Sequence, residues 1–250
     1  DYVHTYSSSS VSFVLLVFKS TADEDASVAT AAISRPVHWH KTLLPRDITQ
    51  TYDPGKTESG FGYQKLEMCE DISYVSRKEW GARSPKAVKS FNIDGGVRYV
   101  FHHHTEGDDC VSKENCSEII SRWQAVHQDQ QGWDDIGYSF LIGANGLIFE
   151  GRGWNYVGAH TVAFNNKSVS LGFVGDYSRK VPNRYMLQAA MKLIECGIRL
   201  NKISANYTLH GQKDANCRQC PGEAFYAFMQ NMSHYGGRLE DYICTPSPWE

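Results

Sequence analysis

Between Val97 and Met232, short apolar runs alternate with segments of helical spacing, and that alternation narrows the fold more than any other feature of the chain. Val97–Phe101 and Val169–Val174 read as buried strands, since brief apolar, β-branched runs suit a sheet covered on both faces. Tyr138–Ile142 and Leu147–Glu150 flank Asn145-Gly146, a dipeptide that accepts the positive φ angles of a tight hairpin turn. Ile119, Trp123 and Val126 recur at helical spacing and place an amphipathic helix over 116–130. Leu187, Ala190, Ile194 and Ile198 mark a second helix behind Pro182. Pro221 stands where the first residue of a third would, ahead of Phe225, Phe228, Met229 and Met232. The interleaving describes an α/β domain with a central sheet flanked by helices, whose aromatic and methionine residues form core.

A chain of 250 residues holds one or two domains, and its 41% hydrophobic content supports one substantial core. A net charge of -3 and a pI near 6.4 leave no footprint for nucleic acid or an anionic membrane. The strongest apolar run, Val11–Phe18, is far shorter than the roughly 20 residues that span a bilayer. It fits the apolar region of a signal peptide, with Ser20-Thr21-Ala22 as a small-residue cleavage site, so 1–22 is read as a leader. Residues 23–68 carry no sustained period and read as a flexible segment, and 69–242 as the ordered domain. Seven cysteines and four glycosylation sequons, at Asn115, Asn166, Asn206 and Asn231, agree with export. Three disulfides and one free thiol is the natural count for a secreted chain with seven.

Several segments carry a resemblance. RKEWGAR (77–83), YVFHHHT (99–105), Cys110 to Cys116, GWDDIGYSFLIGANG (132–146), FEGRGWN (149–155), GAHT (158–161) and CPG (220–222) occur in one order. Over about 77–235 the chain resembles the peptidoglycan recognition protein family, which shares its fold with zinc N-acetylmuramoyl-L-alanine amidases. The resemblance implies the amidase-2 architecture, a central mixed sheet flanked by helices. It also implies a catalytic zinc with three protein ligands, which would polarise the scissile amide and activate a water. Two of the ligand positions fall on His103 and Cys220. The third, a histidine between Gly and Arg in the family, is Gln212 in Gly211-Gln212-Lys213. A neutral amide oxygen is a poor zinc partner beside a thiolate and an imidazole. The spacing from 212 to 220 is the family's own. His210 is a possible substitute, facing the same side as Gln212 if both lie in a strand, whereas His102 should face away from His103.

By the same resemblance Tyr138 is the tyrosine that assists the amidase reaction. Arg218 stands two residues before Cys220, where the family has Thr or Lys, and an arginine cannot act as a base near neutral pH. The resemblance implies disulfides between Cys110 and Cys116 and between Cys69 and Cys196. Cys217, Cys220 and Cys244 remain, with either Cys217–Cys244 or Cys217–Cys220 closed. His104, Thr105, His127, Tyr138, His160 and Asn165 are implied to line a muramyl-peptide cleft. Gly132, Trp133 and Arg152 match the diaminopimelate version of the stem-peptide site. There Arg152 would clamp the extra carboxylate bidentately, Gly132 would allow close backbone approach, and Trp133 reads equally as core. The expected function is a secreted innate-immune protein that binds bacterial peptidoglycan or muropeptides, with amidase activity lost or weak. Zinc enters only if Gln212 is tolerated or His210 is recruited, which would make the chain a working amidase. An adaptor domain that binds protein partners is a third possibility.

Overall fold

The computed structural model describes residue 69 and residues 71–244. The leader expected over 1–22 and the segment expected over 23–68 lie outside them. Six strands form one mixed sheet: β1 (Tyr74–Val75), β2 (Val97–His104), β3 (Phe140–Ile142), β4 (Ile148–Glu150), β5 (Ser168–Phe173) and β6 (Ile203–Gly211). Their order is β1-β4-β3-β5-β2-β6. Only the β3–β4 hairpin is antiparallel, turning through Asn145 and Gly146 as its sequence predicts. Helices α1 (Lys113–Ala125), α2 (Arg184–Arg199) and α3 (Glu223–Met229) pack on it.

Local chemistry sets the helix ends. Ser112 caps α1 by accepting from the Asn115 amide at 3.2 Å. The Asn183 side chain caps α2 by accepting from the amides of Tyr185 and Met186 at 2.9 and 3.1 Å. Each satisfies amides that the first helical turn leaves without partners. The first helix begins earlier than the 116–130 expected and ends its α portion at Ala125. A π-helical turn, Val126–Gln130, follows, and widening the coil there carries His127 into the interior. Pro221 is not the first helical residue. It follows Cys220 through a cis peptide bond, and Gly222 is the cap of α3. Phe228 of that helix is 41% exposed, so it is not core as expected.

Alternation along the central strands divides the two faces. Val100 on β2, with Val169, Leu171 and Phe173 on β5, packs against Leu193, Ile194, Phe225 and Met229 of α2 and α3. The alternate positions of β5, Ser168, Ser170 and Gly172, are small. A Cβ at Gly172 would lie 3.0–3.2 Å from the ring carbons of Tyr138, so its absence makes room for that ring. A second cluster joins Trp80, Leu141, Phe149 and Val174 to Ile119 and Ile120 of α1. Strand β6, which the sequence reading did not delimit, forms the sheet edge, where Leu209 is covered by backbone bonds to His234 and Gly236. Disulfides Cys69–Cys196, Cys110–Cys116 and Cys217–Cys244 tie α2, the start of α1 and the loop after β6. Cys220 is the free cysteine. Among the described residues no helix is long and apolar enough to cross a membrane.

Two substitutions test this packing by urea denaturation. His102, on the helix-covered face, stacks on Phe225 and meets Phe173 edge-on, with both ring nitrogens buried and unpartnered. His102→Leu should therefore stabilise the fold by about 1–2 kcal/mol; an unchanged or lower midpoint contradicts this account of the ring. Gly222 has φ +93, and an added Cβ would lie 2.4–2.6 Å from the backbone of Tyr177 and Ser178. Gly222→Ala should cost about 3 kcal/mol.

Candidate functional site

A groove of about 220 Å³ opens where the C-terminal end of β2 meets the π turn and the loops at 159–160 and 212–220. His103, His104, Thr105, His127, Trp133, Tyr138, His160, Gln212 and Cys220, all singled out in the sequence, line it. Glu106, Trp123, Gln131 and Ala159 line it too, without having been singled out as site residues. Trp123 had been placed in the helix pattern as a core residue. Its position one turn before His127 is the sequence signal that could have moved it to the groove.

His103 holds the centre. Its Nδ1 lies 3.2 Å from Cys220 Sγ, and its Nε2 lies 3.2 Å from Thr161 Oγ1. Thr161 Oγ1 is in turn 3.0 Å from His160 Nδ1. Burial pushes the Cys220 thiol up to about 12 and holds the His103 imidazole well below its usual range. The resting pair is then a neutral thiol beside a neutral ring. Cys220 Sγ also lies 3.9 Å from the His104 carbonyl oxygen, to which the thiol donates, so Cys220, His103, Thr161 and His160 form one chain of side-chain contacts. The chain ends on His160 Nε2, which is buried and has no partner.

The turn that carries Gln212 is also tightly held. Strand β6 stops at Gly211, and Gln212 opens a short 3-10 turn, Gln212–Asp214. The strand rule relating His210 to Gln212 therefore does not apply. Asp214 is buried and accepts from the Gly211 amide (2.9 Å), Tyr226 OH (2.6 Å) and Tyr235 OH (3.0 Å). His210 is committed elsewhere: Nδ1 lies 2.8 Å from Gly237 O and Nε2 lies 2.8 Å from Thr208 Oγ1. His210 is thus no substitute for the missing ligand in this structure. Among the described residues no three His, Cys, Asp or Glu side chains converge to hold a metal ion.

The other walls are fixed by backbone contacts. His104 Nδ1 accepts from the Tyr177 amide, leaving Nε2 without a hydrogen bond, 3.5 Å from Glu106 Oε1. Thr105 Oγ1 accepts from the Gly175 amide and donates to Glu106 O. His127 Nδ1 accepts from the Gly137 amide, and its ring stacks on Trp133 at 4.7 Å and 25°. Trp133 belongs to this wall rather than to the core clusters. Burial, reinforced by the nearby Arg152 charge, lowers His127 to about 4. Tyr138 OH donates to His104 O at 3.2 Å, and burial raises its ionisation far above the ordinary phenol range.

Three expected positions do not line the groove. The guanidinium of Arg152 donates to the carbonyls of Ile136 (2.7 Å), Val157 (2.9 Å) and Asp135 (3.3 Å). It braces the loops behind Trp133. Asn165 Oδ1 accepts from the amides of His160 and Thr161, both at 2.8 Å, and so sets the loop that delivers them. Gly132 has φ +70, and an added Cβ would meet no protein atom within 4 Å. Its requirement is conformational, ending the π turn in the left-handed region. Arg218 also lies off the groove lining.

Residues 94–223 match the family model for N-acetylmuramoyl-L-alanine amidase. Peptidoglycan-recognition protein SC1a/b of Drosophila simulans is 34% identical over 170 residues, covering 68% of this chain and 91% of that protein. A Drosophila peptidoglycan-recognition protein LB variant, solved in complex with tracheal cytotoxin, is 38% identical with a TM-score of 0.63, over 65% of this chain and 95% of that one. Peptidoglycan recognition protein LE, solved with the same compound, described as monomeric diaminopimelic acid-type peptidoglycan, is 30% identical with a TM-score of 0.64. That match spans 66% of this chain and 96% of the LE chain.

The buried histidines make stability pH-dependent. His102, His127 and His160 are lowered to about 3, 4 and 3, chiefly by burial. In the unfolded chain a histidine takes up its proton near pH 6.5, so below that the unfolded state binds more protons than the folded one. Stability is therefore full above pH 7 and falls as pH drops from 6.5 toward 4. The loss is about 1.4 kcal/mol per pH unit for each histidine, or roughly 4 for the three. Urea midpoints across this range should show it, with the slope smaller by about 1.4 kcal/mol per pH unit in His102→Leu; an equal slope in that variant contradicts the assignment.

Proposed function

Because the chain belongs to the peptidoglycan-recognition protein family, we propose that its groove binds muropeptides of bacterial peptidoglycan without efficiently cleaving them. One observation carries this reading. Three groove residues, His104, Gln131 and His160, each keep a buried polar atom with no hydrogen-bond partner. Each such atom costs about 1–3 kcal/mol until something satisfies it. The hydroxyl, amide and carboxylate groups of a muramyl peptide are suitable partners.

The same groove is poorly suited to zinc. The family's site would draw on His103, Cys220 and a third ligand, but the third position offers the Gln212 amide and His210 is held by Gly237 and Thr208. Two donors and a neutral amide are a weak set for an ion that takes three protein ligands in catalytic sites. Without the ion, His103 and Cys220 are satisfied by each other, and the amidase activity is lost or weak.

The stem peptide favoured is the diaminopimelate type. Gly132, Trp133 and Arg152 are all present, and the LB and LE relatives were solved with tracheal cytotoxin. To clamp the extra carboxylate, Arg152 must exchange carbonyl partners for the ligand, so this reading assigns it a movement on binding. Three disulfides and the sequons support a secreted protein, and the family supports a part in innate immunity.

Elemental analysis and calorimetry on the purified protein and a Gln212→His variant test the proposal. The wild type should hold little zinc, release no stem peptide, and bind diaminopimelate-type muropeptide at least about tenfold more tightly than the lysine type. Gln212→His should gain zinc. One zinc per wild-type chain with release of stem peptide would instead establish a working amidase.

A further inference from the structure

Two guanidinium groups share one short segment of chain. Arg152 holds the Asp135 and Ile136 carbonyls, and Arg77 holds the Asp135 carboxylate. Both arginines line a cavity of about 70 Å³ that shares no residue with the groove lining, together with Asp135, Glu150 and Gly151.

The Asp135 carboxylate is 5% exposed, and both of its oxygens are occupied. Oδ1 accepts from Gln124 Nε2 (2.6 Å), the Ile136 amide (2.8 Å) and Arg77 Nη2 (3.3 Å). Oδ2 lies 2.9 Å from Arg77 Nη1. Arg77 is itself fixed, donating to the carbonyls of Gly151 (2.6 Å) and Arg83 (2.8 Å). Its backbone amide also donates to Glu150 Oε2, the other carboxylate of the cavity, at 3.3 Å.

Arg152 is treated differently. Its three partners are neutral carbonyls, and among the described residues no carboxylate lies within 4.0 Å of its nitrogens. Yet its Nη2 donates to the carbonyl of Asp135 itself. The carboxylate of that residue is therefore kept from a second guanidinium by the donors that already hold it. The cavity, about two water molecules' share of liquid, leaves room for a side chain to turn.

The difference decides whether Arg152 can leave. A buried carboxylate–guanidinium pair resists separation, because parting it strands an unpaired charge on each side. Neutral carbonyls give up a guanidinium more readily, and a ligand carboxylate is the stronger partner. We propose that Arg77 is a specificity-determining positioning residue: by occupying the Asp135 carboxylate, it keeps Arg152 on neutral carbonyls and free to pass to a ligand carboxylate. The inference rests on the diaminopimelate reading of the stem-peptide site and supplies the means for the Arg152 movement which that reading requires.

Calorimetry with a diaminopimelate-type and a lysine-type muropeptide tests it. The proteins are the wild type, Arg77→Met, and Arg77→Met combined with Asp135→Asn. The wild type should favour the diaminopimelate ligand at least about tenfold. Arg77→Met should fold, since Arg152 takes over the buried carboxylate. It should lose about tenfold in affinity for the diaminopimelate ligand and stay within about twofold for the lysine ligand. The double variant, with no carboxylate to capture Arg152, should regain the preference. Arg77→Met overturns the proposal if it keeps the preference, weakens both ligands equally or fails to fold; a double variant that does not regain the preference also overturns it. A wild type without the preference overturns the stem-peptide reading itself, and this inference with it.

Discussion

Strand β2 is held between β5 and β6 with both faces covered, and the position of the site follows from that constraint. Phe101, His102 and His103 sit opposite Ser170, Leu171 and Gly172 of β5, while Phe101 and His102 pair with His210 and Gly211 of β6. A shift of one residue would exchange the two faces. It would place His103 among the aromatic residues under α3 and His102 in the groove. The glycine opposite His103 lets the Tyr138 ring close over β5, and Tyr138 then reaches the His104 carbonyl. The central imidazole, the phenol beside it and the floor beneath them are thus consequences of one strand register.

The chain from Cys220 through His103 and Thr161 to His160 shows how a buried thiol and imidazole are accommodated beside Gln212. A thiol and an imidazole taken out of water are polar groups in need of partners. At 3.2 Å they satisfy one another. The loop bearing Cys220 needs no ion to hold it, since Cys217–Cys244, the Asp214 hydrogen bonds and the Lys213 amide donating to the Cys220 carbonyl already fix it.

Much of this was legible in the sequence because it was written as local pattern. The hairpin at Asn145-Gly146, the apolar run of β5 and the periodicity of α2 each depend on neighbouring residues alone. β1 is too short to show a period, and β6 mixes exposed and buried positions through the irregular stretch where its pairing with β2 shifts. The π turn had no signature at all, yet it turns His127 inward. At the site, residue types located the groove, but partners could not be read from them. Arg152 was expected to face a ligand carboxylate and instead holds three carbonyls, because a guanidinium beside a loop of unpaired C=O groups satisfies them wherever it can reach. His210 was a candidate ligand by spacing alone, and the strand's end at Gly211 removes the basis for that spacing.

The histidines show why a recognition groove and a stable core can draw on the same residue. His102 and His160 are both fully desolvated rings kept neutral by burial. The first faces only aromatic carbon, so its unpartnered nitrogens are a loss to stability with no compensation in the described structure. The second has one nitrogen held by Thr161 and the other buried without a partner, in a residue that lines the groove. A hydrogen bond at one nitrogen constrains what the other presents, and burial keeps the His160 ring uncharged. The Gly137 amide does the same for His127, and the Tyr177 amide for His104. Three imidazoles that line the groove are thus each anchored through Nδ1, so their orientation is set by the scaffold before anything enters.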